Sequence, residues 1–212
     1  MNKLAIIGSG DLGKLIAYHA SNDGDFEVVG FFDDVVKESV TSEGIEILGK
    51  SNQVLSHYEK GTFDCLMIGI GYFHFTERAS LFNDLKGKVP FASIVHSSAI
   101  VDPSVRLGEG VFIHPGCCLD TGVVIKDNVL LNTSVTIAHD STVNEHTFIA
   151  PTVSIAGKTS IGSCCFIGIN ATIIDNITIS DQVKVAAGAG VVNSLDEQGT
   201  YFGCPAKLKK AL

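Results

Sequence analysis

VDPSVRLGEGVFIHPGCCLDTGVVIKDNVLLNTSVTIAHD, residues 101–140, runs on into STVNEHTFIAPTVSIAGKTSIGSCCFIGINATIIDNITISDQVKVAAGAGV, residues 141–191. Stepping by six from Val101 through Leu107, Ile113, Leu119, Ile125, Leu131, Ile137, Val143, Ile149, Ile155, Ile161, Ile167, Ile173, Ile179 and Val185 to Val191 meets only Val, Leu or Ile. If such residues filled about a third of positions at random, this register would arise on the order of once in ten million tries. Four residues after each comes a small or β-branched side chain in most repeats, among them Val105, Val111, Cys117, Val123, Ser141, Thr147, Thr159, Cys165 and Ala171. Two inward positions in every six residues specify a hexapeptide β-helix. Three hexads make one triangular coil, each side a short strand pairing in parallel with its neighbours at about 4.8 Å. The segment 101–196 then forms just over five coils. Prisms of this class coil left-handed, an exception to the usual crossover rule. Cys117 and Cys165 fall on inward positions and read as core fillers.

The rest of the composition narrows the class. The chain has 212 residues, 45% of them hydrophobic, with a net charge of −8 and a pI near 5.2. That is enough apolar material for real cores and excludes intrinsic disorder. An acidic balance with 15 Lys and Arg argues against a broad basic face for nucleic acid or anionic membrane. No apolar run approaches the roughly 18 residues of a membrane span. The apolar stretch after Met1-Asn2-Lys3 is too short for a signal peptide, and the expected location is cytoplasmic. Six cysteines without a CxxC spacing read as reduced, packed thiols.

Ahead of the prism, residues 3–7 read as a buried strand that runs into Gly8-Ser9-Gly10-Asp11-Leu12-Gly13 and then into a helical pattern. Further strands are expected at Glu27–Phe32, ending in Asp33-Asp34, at Phe63–Ile68, ending in Gly69-Ile70-Gly71, and at Pro90–Val95. With helices near 51–58 and 72–86, this is a short, doubly wound, Rossmann-like α/β sheet. Glycines at such a turn let helix N–H groups meet a phosphate, and an acid about 20 residues later accepts hydrogen bonds from a ribose or base edge. Asp33 stands 20 residues past Gly13. That pattern fits NAD. About 95 residues, however, is less than a whole dinucleotide unit occupies, and a mononucleotide or nucleotide-sugar fits the length better. A turn that merely packs strand on helix remains a third reading.

The prism register says where the histidines point. His139 lies two residues past the inward Ile137, outside and at a corner. The same corner is Thr121 one coil below and Gly157 one coil above. A glycine beside an exposed imidazole leaves space and a backbone N–H where an acyl carbonyl could sit. Asp140 follows directly, and a carboxylate there can fix the tautomer of His139 and support its positive charge. The pair reads as a general base, or else as solvated corner residues. His146 and His114 fall on the other two corners, so one prism cannot gather a metal site from the three. A site between subunits would need the HxxxxH pair of the carbonic anhydrases built on this fold, whereas His139 and His146 are seven apart; no metal is expected. The tail Gly203-Cys204-Pro205-Ala206-Lys207-Leu208-Lys209-Lys210 offers three lysines to the phosphates of an acyl carrier, or simply a solvated end.

Together these pieces resemble the bacterial sugar O-acyltransferases of the sialic acid O-acetyltransferase type, which include N-acetyltransferases of UDP-4-amino-sugars and of GDP-perosamine. The resemblance is carried by the GSGDLG turn, FFDD at 31–34, the unbroken hexads, LNTSVTIAHD at 131–140, FIGINATI at 166–173 and FGCPAK at 202–207. It implies a nucleotide-sugar-binding domain over 1–96 and an acyltransferase prism with its tail over 97–212. His139 would take a proton from a sugar amine or hydroxyl as it attacks the acetyl-CoA thioester, with Asp140 orienting it. A close relative has Glu after this His. Asn132, Gly157, Ala187 and Lys207 would meet acetyl-CoA, Gly157 through its N–H on the thioester carbonyl. Asp33 and Asp34 would hold the nucleotide base, with Gly8, Ser9, Gly10, Asp11 and Gly13 near its phosphates. The resemblance further implies a homotrimer with sites between neighbouring prisms, so that Asn132 and His139 can come from different chains. Amine and hydroxyl acceptors stay unseparated at this level. A non-catalytic trimeric scaffold and an NAD-linked enzyme are the readings from other classes.

Overall fold

The structure, a computed structural model, describes residues 1–23 and 26–209; Lys210 of the lysine tail lies outside them. The chain divides into two compact units, Met1–Ile94 and Val95–Leu212.

In the first unit, β1 (Asn2–Ile7), β2 (Phe26–Phe32), β3 (Ile47–Gly49) and β4 (Cys65–Ile68) form one sheet in the order β3-β2-β1-β4. All three pairings are parallel. Helices α1 (Asp11–Asn22), α2 (Val54–Glu59) and α3 (Phe75–Leu85) connect the strands. Side chains of a strand alternate between faces, and here both faces are buried. Ala5, Ile7, Phe32, Leu66 and Ile68 form a core with Val54 of α2 and Phe82 and Leu85 of α3. Leu4, Ile6, Phe31 and Met67, also buried, are left for the opposite face, where Gly13 of α1 packs beside the Phe31 ring.

Two sequence expectations change here. Pro90–Val95 does not lie along β4 as a full strand. It makes one bridge, Leu66 to Phe91, framed by Leu66 N–H to Pro90 O and Ala92 N–H to Leu66 O, both 3.0 Å. A proline has no N–H to give a ladder. The strand β3 escaped the sequence because three residues are too short to show a period. The helices at 51–58 and 72–86 each begin with a 3₁₀ turn, Ser51–Gln53 and Tyr72–His74, before α2 and α3.

The second unit is a left-handed parallel β-helix of two-residue strands stacked in three sheets. The aliphatic of each hexad lies on that of the coil below: Leu119, Ile137, Ile155 and Ile173 in one column, Leu131, Ile149 and Ile167 in another, Ile125, Val143 and Ile161 in the third. These side chains are fully or almost fully buried and form a single core. Removing a side chain of this kind from water contributes about 1.5–3 kcal/mol.

From Gly110 to Gly188 every corner places one residue in the left-handed conformation, including Ser134 (φ 59°), Asp140 (57°), His146 (63°) and Lys158 (55°). Each such non-glycine residue gives its N–H to a corner carbonyl of the coil below, as in Asp140 to Thr121 O and Lys158 to His139 O, both 2.9 Å. These bonds offset the strain of left-handed backbone at non-glycine residues.

The last coil is shorter than the rest. Leu195 bridges to Ile179 and Tyr201 pairs with Val185, each two residues closer than the spacing below. The strand Thr200–Phe202 then turns back into Lys207–Leu208 as an antiparallel hairpin, carrying the prism past residue 196. Among the described residues no helix is long and apolar enough to cross a membrane.

Candidate active site

The corner at 138–141 is fixed on both sides before any ligand is considered. The Asp140 N–H is held by Thr121 O below, and the His139 carbonyl by the Lys158 N–H above. The side chains project outward from this locked turn and are half exposed, 50% for His139 and 62% for Asp140. Nδ1 of His139 lies 3.0 Å from Oδ2 of Asp140. A carboxylate only accepts, so Nδ1 carries the proton and Nε2 is left as the basic atom. The shorter Asp reaches the imidazole without help.

Gly157 sits directly above. A β-carbon placed on it would fall 2.6 Å from Nε2 of His139 and 2.8 Å from Cε1. The imidazole therefore lies against bare backbone, where any other residue would displace it. Among the described residues nothing accepts the Gly157 N–H.

The residues expected at acetyl-CoA sort onto two different edges of the prism. Gly157 shares the edge of His139. Asn132 opens the corner of Thr133 and Ser134, which continues upward through Thr152, Asn170 and Gly188; Ala187 belongs to that second edge. One chain does not bring the two groups together. Ile169 is half exposed on the second edge, and Oδ1 of Asn132 accepts the Thr133 N–H at 2.7 Å. Lys207 is exposed on the terminal hairpin.

His146 occupies the third edge, buried, with Nδ1 3.0 Å from Nδ2 of Asn128. His114 is buried against the Phe112 ring. Among the described residues no three His, Cys, Asp or Glu side chains are gathered as a metal would require. Burial pushes the Cys117 thiol up and that of Cys165 up to about 12, so both stay protonated inside the core and are no nucleophiles.

In the first unit a cleft of about 580 Å³ opens at the carboxyl ends of β1, β2 and β4 and is lined by Ile7, Gly8, Asp33, Asp34, Ile70 and His74, among others. This is the topological switch point of the sheet, where the chain leaves β1 for one side and later for the other, and where open α/β sheets bind ligands. Gly8 turns there with φ 96°.

Asp33 clasps the turn. Its Oδ2 accepts the Ser9 N–H at 2.8 Å and the Ser9 hydroxyl at 2.7 Å, and its Oδ1 accepts the N–H groups of Val35 and Val36. Burial raises its pKa, but these bonds outweigh it and hold the carboxyl below its ordinary value. Four bonds use the lone pairs of a carboxylate, so the expected role of Asp33 toward a base gives way to one toward its own chain. Among the described residues Asp34 accepts only from Ser51, at 3.0 Å from the N–H and 2.7 Å from the hydroxyl, and it retains acceptor capacity in the cleft.

The glycine turn also divides. Gly10 has open space where a side chain would be, whereas Gly13 is pressed on the Gly8 carbonyl and Gly69, where no side chain would fit. Asp11 is exposed at the first position of α1. His74, Thr76, Glu77 and Ser80 line the cleft from the start of α3, and the sequence reading missed them. Their signal was Gly69-Ile70-Gly71, a second glycine turn leading into a helix.

Residues 3–85 match the family described as the PglD N-terminal domain. The acetyltransferase domain of PglB from Neisseria gonorrhoeae, solved with acetyl coenzyme A, is 28% identical, covering 98% of this chain and 99% of that one with a TM-score of 0.89. A histidine-to-alanine mutant of GDP-perosamine N-acetyl transferase from Caulobacter crescentus, solved with CoA and GDP-perosamine, is 27% identical, covering 100% of this chain and 98% of that one with a TM-score of 0.89. WeeI from Acinetobacter baumannii shares the fold at 21% identity and a TM-score of 0.80, over 96% of this chain and 98% of that one.

Proposed function

Since residues 3–85 match the PglD N-terminal domain in front of a hexapeptide β-helix, we propose that this chain is an acetyl-CoA-dependent N-acetyltransferase acting on a nucleotide-activated amino-sugar. The solved relatives that bind acetyl coenzyme A, or CoA with GDP-perosamine, support both substrates. The observation that carries the reading is the His139 corner, with Nδ1 on Asp140 and Nε2 over the bare backbone of Gly157.

The amine nitrogen of the sugar attacks the thioester carbon. A C–N bond forms and the C–S bond breaks. The nitrogen's proton passes to Nε2 of His139 and from there to the departing CoA sulfur, leaving an amide and a free thiol. Asp140 holds the imidazole in the tautomer that can accept this proton and supports its charge once accepted. The Gly157 N–H faces the oxygen on which negative charge develops. The cleft beside Gly8 and Asp34 takes the nucleotide, with a UDP-4-amino-sugar as the first acceptor. Asn132 and Ala187 stand on a different edge from His139, and two edges of one rigid prism never meet. The active site is therefore assembled between neighbouring prisms of a homotrimer, with the acetyl-CoA phosphates toward Lys207. Both substrates are metabolites of the cytoplasm, where we place the protein.

The test follows free thiol while acetyl-CoA is mixed with UDP-, GDP- and CMP-linked amino- and hydroxy-sugars. Thiol release should require an amino acceptor, and His139→Ala should slow it by about 10²–10⁴, the range for losing a general base, while CoA still binds. Undiminished turnover by His139→Ala would sink the mechanism; release with hydroxyl acceptors alone would replace the amine by an alcohol.

A further inference from the structure

Below each prism corner lies the fifth position of a hexad, and its side chain points inward. On the edge of His139 this position is aliphatic at Val105, Val123 and Ile177, but it is Ser141 and Thr159 in the two coils that carry His139 and Gly157. Ser141 is completely buried. Its Oγ donates to the Ala156 carbonyl at 3.1 Å and accepts the Thr159 N–H at 3.2 Å. The carbonyl of His139 itself lies 3.4 Å away.

The Ala156 carbonyl and the Gly157 N–H belong to one peptide group, and in a planar trans amide they point in opposite directions. A hydroxyl inside the prism that draws the carbonyl inward turns the N–H outward. That N–H emerges on the corner against which Nε2 of His139 lies. A valine at 141, as at 123, would leave the peptide without this restraint and the Ala156 carbonyl without its donor.

We propose that Ser141 is a positioning residue for acetyl transfer: its buried hydroxyl sets the Ala156–Gly157 peptide so that the Gly157 N–H is aimed at the thioester carbonyl beside the His139 ring. The assignment rests on the acetyltransferase reading given above. It does not make Ser141 a catalytic group, since among the described residues its Oγ reaches only backbone atoms of the prism.

The prism supplies its own control. Thr147 occupies the same hexad position on the next edge, also completely buried. Its Oγ1 donates to Gly162 O at 2.7 Å and accepts the Cys165 N–H at 3.0 Å. Thr147→Val removes an equivalent pair of bonds away from His139, and Ser141→Thr keeps the hydroxyl at a position type that accepts threonine twice in this prism.

Steady-state kinetics and thermal melts of Ser141→Ala, Ser141→Thr and Thr147→Val decide the matter. Misaiming a transition-state donor should lower kcat of Ser141→Ala by about ten- to hundredfold with both KM values within about twofold. Thr147→Val should lose comparable thermal stability and keep kcat within about twofold of wild type, and Ser141→Thr should recover most of the rate. Equal kcat for Ser141→Ala and Thr147→Val, or a Ser141→Thr variant as slow as Ser141→Ala, would overturn the assignment while leaving the acetyltransferase reading intact. A wild-type protein that transfers acetyl to no nucleotide amino-sugar would instead remove that reading, and the assignment with it.

Discussion

At His139 a single hydrogen bond chooses which nitrogen is basic. Asp140→Asn keeps size and shape but can present an N–H to Nδ1, which favours the tautomer with the proton on Nε2. Such a reversal costs on the order of 10²–10⁴ in kcat, measurable by thiol release with CoA affinity unchanged. The neighbourhood of His139 and Gly157 was legible because corners recur every eighteen residues, which is arithmetic on the chain. Ser141 was not, because a serine at a position that elsewhere holds valine or cysteine reads as one more small core filler until its hydrogen-bond partners are known. Asp33 shows the same limit: its distance from Gly13 gave its place beside the glycine turn, while spacing cannot say that Ser9, Val35 and Val36 occupy its oxygens. Its folded pKa lies below the ordinary 3.8. The stabilisation it provides is therefore present above the unfolded value and lost as pH falls through the folded one. Asp33→Asn should melt lower than wild type at neutral pH, the equivalent of about 1–3 kcal/mol, and the gap between the two proteins should narrow as melts are taken below the ordinary value of 3.8.

Among the elements, the columns of the prism follow from one aliphatic per hexad, and each is a stack in which a missing side chain leaves a hole that the coils above and below cannot close. Ile149, fully buried between Leu131 and Ile167, should cost about 2–5 kcal/mol as Ile149→Ala, read as a lowered denaturation midpoint with an unchanged dependence on denaturant. Strand β3 stayed hidden because a three-residue segment between glycines has no periodicity to display. The left-handed corners stayed hidden for a different reason. Glycine and asparagine announce that conformation, but this chain also places Ser, Asp, His, Thr, Lys, Cys and Gln there, and their strain is offset by corner hydrogen bonds that exist only once the coils are stacked.

On the scale of the molecule, the two edges that bear Asn132 and His139 make the proposed trimer testable without a structure of it. An Asn132→Ala chain and a His139→Ala chain, each inactive alone, should recover about a quarter of wild-type activity when unfolded and refolded as an equal mixture, since that share of heterologous interfaces pairs two intact faces. A mixture as inactive as its parts would put the whole site in one chain. The stacking of each coil on the one below also makes the prism a screw thread with a fixed pitch. Material added or removed in whole turns of eighteen residues advances everything above it along the axis and, in the proposed trimer, leaves every residue facing the neighbour it faced before. A change of six residues, which preserves the inward and outward pattern just as well, rotates all that follows by a third of a revolution and hands the corner of His139 to the wrong neighbour. Length variation in this half of the chain is therefore quantised for activity at three times the period that suffices for folding.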